Sequence, residues 1–95
     1  MTQLLAEQSY VKVVRTVDSI SQTNTEEQRM MYLYEDRLVT RHREFLIDTI
    51  HDLSYRMLGT QGGLLYVHTN KGVFSYMIKS SPEQFIEVFK TYKKR

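Results

Sequence analysis

The sequence predicts a mainly β (α+β) protein, a small bent antiparallel barrel of six or seven strands closed by a C-terminal amphipathic helix. Short runs rich in β-branched and aromatic residues recur along the chain as far as residue 79. A segment with helix-start signals and helical apolar spacing follows them. Because the predicted strands follow one another without intervening helices, the pattern argues against a parallel α/β sheet.

The C-terminal helix has the strongest local signals, and we predict it over residues 82–93. Ser81 can cap the helix, Pro82 suits its first position, and Gln84 completes a capping box. Apolar residues at helical spacing then share one face: Phe85, Ile86, Val88, Phe89 and Tyr92.

A β-hairpin is predicted over residues 64–79, directly before the helix. Leu65, Val67 and Thr69 alternate with Leu64, Tyr66 and His68 along its first arm. The turn at 70–72 ends in a glycine that tolerates positive φ. Three glycines within residues 59–63 predict an irregular loop ahead of it.

The upstream part of the chain predicts further strands and turns. We expect strands at 10–17, 29–34, 38–43, 45–47 and 53–58, with turns at 35–37 and 48–52. Residues 18–28 are predicted as a long polar loop, and residues 1–9 as disordered or a short helix. All 95 residues are expected to form one domain.

Composition predicts a cytoplasmic protein. The chain contains no cysteine, which excludes disulfides and thiolate metal sites and favours a reducing compartment. The sequence shows neither signal-peptide character nor an apolar run of membrane-spanning length. The net charge of +2 is unevenly distributed, since residues 1–36 sum to −3 and residues 37–95 to +5. A basic second half can attract phosphates or acidic partners, although basic residues at its end also suit a helix C-terminus.

Residues 30–92 resemble a bacterial pleckstrin-homology-like (PH-like) domain. The resemblance lies in the hairpin around 35–37, the segment 45–53, the glycine-rich loop and the final hairpin leading into residues 81–85. It implies a bent seven-stranded barrel with one end plugged by the helix. It also implies a non-enzymatic interaction or scaffold module that binds a protein or peptide, or a second copy of the chain.

The sequence departs from one mode of ligand binding that is known in this family. Some eukaryotic relatives bind phosphoinositide head groups through basic residues in the first hairpin loop. The corresponding residues here, 18–28, include Glu26 and Glu27 but no lysine or arginine. A second resemblance is looser: residues 47–89 are similar to part of a DNA-binding LytTR domain, a family that continues with a further strand and basic residues after the helix.

The candidate binding residues are basic. Arg41 and Arg43 share one face of a predicted strand, with His42 on the other face. A fold that brings Arg37, Arg56 and Lys71 close to them would create a patch for an anion or an acidic peptide. The alternative is a solvated strand face whose charges discourage edge pairing.

Other functions have less support in the sequence. Tyrosines on strands could stack on RNA bases, but no RNP-like motif accompanies them. Nucleic-acid binding is therefore the alternative to the binding of a protein or peptide. The spacings of His42, His51 and His68 match no metal motif. No nucleophile elbow, Walker loop or dinucleotide fingerprint occurs. We therefore expect no catalysis, no metal and no cofactor.

Overall fold

Seven antiparallel strands and one C-terminal helix form the described part of the protein, in a computed structural model that describes residues 3–17, 22–59 and 62–93. A 3₁₀ turn, Ile47–Thr49, links the fourth and fifth strands. The elements are β1 (Leu4–Val17), β2 (Gln22–Tyr34), β3 (Arg37–Val39), β4 (Glu44–Leu46), β5 (Ile50–Met57), β6 (Gly63–Thr69), β7 (Gly72–Ile78) and α1 (Glu83–Lys93). The predicted fold class is confirmed in its strand number, its antiparallel pairing and its helix.

The strands form one sheet in the order β4-β3-β2-β1-β7-β6-β5. The prediction of a closed barrel is wrong, because β4 and β5 are the two ends of this order and do not pair within the described ranges. β4 has only three residues, and its pairing partner is β3. The chain passes from β4 to β5 through the 3₁₀ turn, while α1 packs against β1 and β5. The helix therefore packs across the sheet from β1 to β5.

The hairpin of β1 and β2 is much longer than its neighbours. It pairs from Leu4 opposite Tyr34 to Val17 opposite Gln22, with one register shift between Leu4 and Ala6. In the described ranges, β1 pairs with β7 only where Val11 faces Met77. The distal half of the hairpin thus projects beyond the rest of the sheet, and the molecule measures 54 × 29 × 24 Å.

Two predictions for this region need correction. The segment 22–28 is part of β2 and not a loop, while residues 18–21 lie outside the described residues. β1 begins at Leu4, so residues 4–9 are neither disordered nor helical. Pairing across the hairpin gives these polar residues a strand conformation that their composition does not predict.

The core lies between the sheet and one face of α1. Along β6, Leu65 and Val67 are fully buried while the intervening residues are partly exposed, as strand alternation requires. Each fully buried apolar side chain contributes about 1.5–3 kcal/mol relative to exposure. The buried apolar residues are Tyr10, Met31, Leu33, Leu38, Phe45, Ile50, Leu53, Leu65, Val67, Ile78, Phe85, Ile86 and Phe89.

The C-terminal predictions agree closely with the structure. α1 begins at Glu83, whose N–H donates to Ser81 Oγ at 3.3 Å, so Ser81 caps the helix. The hairpin of β6 and β7 turns at residues 70–71. Further upstream, the predicted strand 38–43 ends at Val39, and β5 begins at Ile50 inside the predicted turn 48–52. No helix in the described part of the chain has the length and apolarity needed to cross a membrane.

A basic and aromatic groove at the corner of the sheet

A groove of about 520 Å³ opens where β1 and β7 separate. Val11 and Met77 face each other, and beyond this pair the two strands diverge. Residues 10–13 of β1 and 74–77 of β7 form its walls. Arg29, Thr40, His42 and Arg43 complete the lining. We call this site the corner groove.

The register of the long hairpin places two basic side chains on the groove side. Tyr10 lies opposite Arg29, and Lys12 lies opposite Glu27. Directly opposite residues share a face of the sheet, as do residues two positions apart. Lys12 and Arg29 therefore share the face of Tyr10, which points into the core.

Arg29 is the most enclosed of the basic side chains in the groove. Its side chain is 14% exposed, and its Nη2 lies 3.4 Å from Glu27 Oε1. Its Nε is buried and has no hydrogen-bond partner in the described part of the protein. Buried polar atoms in native proteins are usually paired, and the Nε of Arg37 is a second exception in the described part of the protein.

The turn between β3 and β4 is fixed by hydrogen bonds, and it holds Arg43 in the groove. The Thr40 N–H donates to the Arg43 carbonyl at 2.8 Å, and the Arg43 N–H donates to Thr40 Oγ1 at 3.1 Å. The Arg41 N–H donates to Tyr10 Oη at 3.1 Å, which ties the turn to β1. The Arg43 guanidinium then lies 4.6 Å from the centre of the Phe74 ring, a cation–π contact.

Tyr76 supplies a second aromatic surface. Its ring meets that of Tyr10 edge to face, with centroids 5.1 Å apart. Burial raises the pKa of Tyr76, and a hydrogen bond with Thr40 partly opposes that effect. The phenol is therefore neutral at physiological pH and can donate a hydrogen bond within the groove.

Three of the five predicted binding residues lie at or beside the turn that lines this groove. Arg43 lines the corner groove and also a neighbouring groove of about 380 Å³. Lys71, in the turn between β6 and β7, lines that second groove together with His42. Arg41 sits in the same turn as Arg43, with an exposed side chain. The predicted alternation of these residues on a strand is wrong, because residues 41–43 form a turn.

The other two predicted residues lie apart from the corner groove. Arg37 is engaged by carboxylates, with Nη1 3.8 Å from Asp36 and 3.7 Å from Glu44, and it stacks on Tyr34 at 5.5 Å. Arg56 is exposed on β5 opposite Leu64. The structure therefore brings His42, Arg43 and Lys71 together but not the full predicted set. The role of these residues in binding stays a prediction.

Sequence reasoning missed Lys12 and Arg29, which the fold places beside Arg43. They are far from Arg43 in sequence, and only the β1–β2 register brings them to one face. The available signal was the position of Lys12 two residues after Tyr10 within a predicted strand, because such residues share a face.

The histidines occupy separate environments. His42 lines the corner groove, His51 is exposed on β5, and His68 Nε2 lies 2.7 Å from Ser54 Oγ. Within residues 3–17, 22–59 and 62–93, no three histidine, aspartate or glutamate side chains gather closely enough to hold a metal ion.

Comparison with known proteins assigns no family to this chain. A scan against protein-family models finds no match, and a search of curated proteins finds no significant relative.

Proposed function

We propose that this protein is a non-enzymatic interaction module of the PH-like type, and that its corner groove binds an acidic segment of a partner protein. The observation that carries the proposal is the gathering of three basic side chains, Lys12, Arg29 and Arg43, beside the rings of Phe74 and Tyr76. Carboxylates bind guanidinium and ammonium groups through charge-assisted hydrogen bonds, and the aromatic rings supply contact area.

The architecture supports the PH-like assignment. An antiparallel seven-stranded sheet followed by a C-terminal helix that packs against β1 and β5 has the element order of that family. The proposal includes a bacterial origin and a cytoplasmic location. The resemblance to bacterial PH-like domains supports the origin, and the absence of cysteine favours a reducing compartment.

A protein segment suits the groove better than a nucleic acid does. Nucleic-acid binding relies on many Lys and Arg side chains that contact successive phosphates. The corner groove has three such side chains, Lys12, Arg29 and Arg43, and Glu27 beside Arg29 reduces their net charge. A short segment with a few carboxylates matches this limited positive charge.

The test is a binding assay with matched charge-reversal variants. A fluorescein-labelled decaglutamate peptide is titrated with the protein, and fluorescence anisotropy reports the affinity. Arg43→Glu should weaken binding about tenfold or more, equivalent to about 1.4 kcal/mol or more. Arg56→Glu makes the same charge change outside the groove and should alter the affinity by about twofold or less, because solvent and salt screen distant charges.

Competing ligands are measured in the same assay. Decalysine should not bind, while inorganic phosphate and a ten-nucleotide single-stranded DNA should compete only weakly. If the oligonucleotide bound more tightly than decaglutamate and lost affinity in Arg43→Glu, the groove would be a nucleic-acid site. Equal effects of Arg43→Glu and Arg56→Glu would show that net charge, and not the groove, governs binding.

A further inference from the structure

The corner groove lies between two strand edges. Four consecutive residues of β1 (10–13) and four consecutive residues of β7 (74–77) line it. Consecutive residues of a strand point to opposite faces of the sheet, so a groove that contacts all of them runs along the backbone edge. The groove is therefore a gap in the sheet, open to both faces.

The hydrogen-bonding groups of β7 face this gap at alternate residues. The two-residue turn at 70–71 makes Thr69 and Gly72 the closing hydrogen-bonded pair of the β6–β7 hairpin. Val73 and Ser75 then direct their N–H and C=O groups away from β6. Met77 has the same parity and faces Val11 of β1, as this alternation requires.

The edge groups of Val73 and Ser75 have no strand beside them on that side in the described part of the sheet. They are about 7 Å apart, the two-residue repeat of a strand. Such an edge is a template for an added strand.

The two faces of the gap differ in chemistry. On the inner face lie Lys12 and Arg29, with Arg43 above Phe74. On the outer face three apolar side chains are exposed: Val13 (40%), Val73 (59%) and Met77 (42%). A strand placed in the gap would meet basic groups on one face and apolar groups on the other.

We infer that the partner's segment enters this gap in extended form and adds to β7 as a strand, with acidic side chains alternating with apolar ones. The acidic side chains face Lys12, Arg29 and Arg43, and the apolar ones cover Val73 and Met77. This inference rests on the proposed function and adds to it a backbone conformation and a sequence pattern.

A second copy of the chain fits the gap poorly. Among the described strands of another copy that have a free edge (β4, β5 and the projecting part of β2), β2 is the most acidic, with Glu26 and Glu27. These are adjacent, so they point to opposite faces and place one charge against the apolar face of the gap. The remaining residues of that segment are polar. The pattern of the gap therefore favours a different protein as the occupant.

The test compares two peptides of identical composition. One alternates, Val-Glu-Val-Glu-Val-Glu, and the other is its block isomer, Val-Val-Val-Glu-Glu-Glu. Both carry the same charge, so recognition of acidity alone predicts similar affinities. Strand addition predicts that the alternating peptide binds at least about tenfold more tightly, because only it matches both faces of the gap.

Amide hydrogen exchange of the folded protein, followed by NMR, provides the second readout. In the free protein the Val73 and Ser75 amides should exchange rapidly, while those of Phe74 and Tyr76 are protected by β6. Bound alternating peptide should slow the exchange of Val73 and Ser75 about tenfold or more and leave Phe74 and Tyr76 nearly unchanged. A variant is not needed, so the test does not depend on the folding of a mutant.

The outcomes separate the two proposals. Equal affinity of the two isomers without protection of Val73 and Ser75 overturns strand addition and leaves acidic recognition intact. Failure of both isomers and of decaglutamate to bind overturns the proposed function itself. Protection of Val73 and Ser75 that appears without peptide and grows with protein concentration assigns the gap to a second copy and also overturns the inference.

Discussion

The two ends of β7 pair with the same strand, β6, along one edge and differ along the other edge. Both pair with β6 in continuous register from Gly72 to Ile78. At the C-terminal end, Ile78 is 1% exposed and its carbonyl lies close to the backbone of Gly62. At the N-terminal end, Val73 is exposed and faces the gap left by β1.

This difference separates a fully paired part from a part with one free edge within one seven-residue strand. Where β7 has neighbours on both edges, its backbone hydrogen-bonding groups are paired on both sides, while alternation of faces decides that Ile78 is buried and Met77 is exposed. Where the second neighbour is missing, at Val73 and Ser75, the edge hydrogen-bonding groups have no strand beside them in the described part of the sheet. Sequence composition alone does not distinguish the two ends, because both carry β-branched residues.

The largest expected effect comes from substituting two glycines, one packed against the C-terminal end of β7 (Gly62) and one at its N-terminal end (Gly72). Gly62 has φ of 118° and Gly72 has φ of 128°, both outside the range that other residues favour. A Cβ at Gly62 would also lie 2.3 Å from the carbonyl oxygen of Ile78, whereas one at Gly72 meets no atom within 4 Å. Gly62→Ala should lower the free energy of unfolding by about 4 kcal/mol, from strain and steric overlap together.

Gly72→Ala is the matched control, since it adds backbone strain without overlap and should cost about 1–2 kcal/mol. Urea denaturation followed by circular dichroism measures both. Equal losses would show that the C-terminal end of β7 is no more tightly packed than the other end.

Side-chain truncation should give the next largest difference. Ile78→Ala removes a buried side chain from the core and should cost about 3 kcal/mol. Val73→Ala truncates an exposed one and should change stability by about 0.5 kcal/mol or less. The same urea titrations report both values. A loss at Val73 close to that at Ile78 would contradict the exposure of the Val73 side chain on the outer face of β7.

The smallest expected effect is a pH dependence at Tyr76, which lies between the two ends. Burial raises the pKa of Tyr76 above its ordinary value of 10.0. At alkaline pH the unfolded chain therefore ionises this phenol before the folded protein does. The contribution of the neutral Tyr76 phenol to the free energy of unfolding is complete below pH 10 and is lost as the pH rises through the folded-state pKa.

Tyr76→Phe should remove this part of the alkaline decline. Urea midpoints of both proteins at pH 7, 8 and 10.5 measure it. The difference between the proteins should be constant from pH 7 to 8 and should change in favour of the variant at pH 10.5. A constant difference over the whole range would place the phenol in solvent.

Elements defined by local signals were predicted well. The capped start of α1 and the short turn between β6 and β7 depend on residues a few positions apart, and both match the structure. The residues 22–28 were missed because their strand conformation comes from pairing with β1 and not from their own polar composition. Closure of the sheet was also mispredicted, since the alternation of residues does not reveal whether β4 and β5 meet.

The candidate site was predicted only in part, for a related reason. Arg43 belongs to a basic cluster that is visible in the sequence. Lys12 and Arg29 reach the same groove through the register of the long hairpin, which no local pattern encodes. Arg37 was predicted as a site residue, but it forms ion pairs with Asp36 and Glu44. These ion pairs depend on how β3 and β4 pair.

The pairing of Val11 with Met77 has a consequence for the order in which the corner groove forms. It joins the first strand to the last, so it is among the most distant contacts along the chain, and closing so long a loop costs entropy that shorter hairpins avoid. A chain still emerging from the ribosome can form the β1–β2 hairpin early, but it has only one wall of the groove until residue 77 has been synthesised. The groove, and with it the proposed binding site, is therefore complete only after β7 has paired with β1.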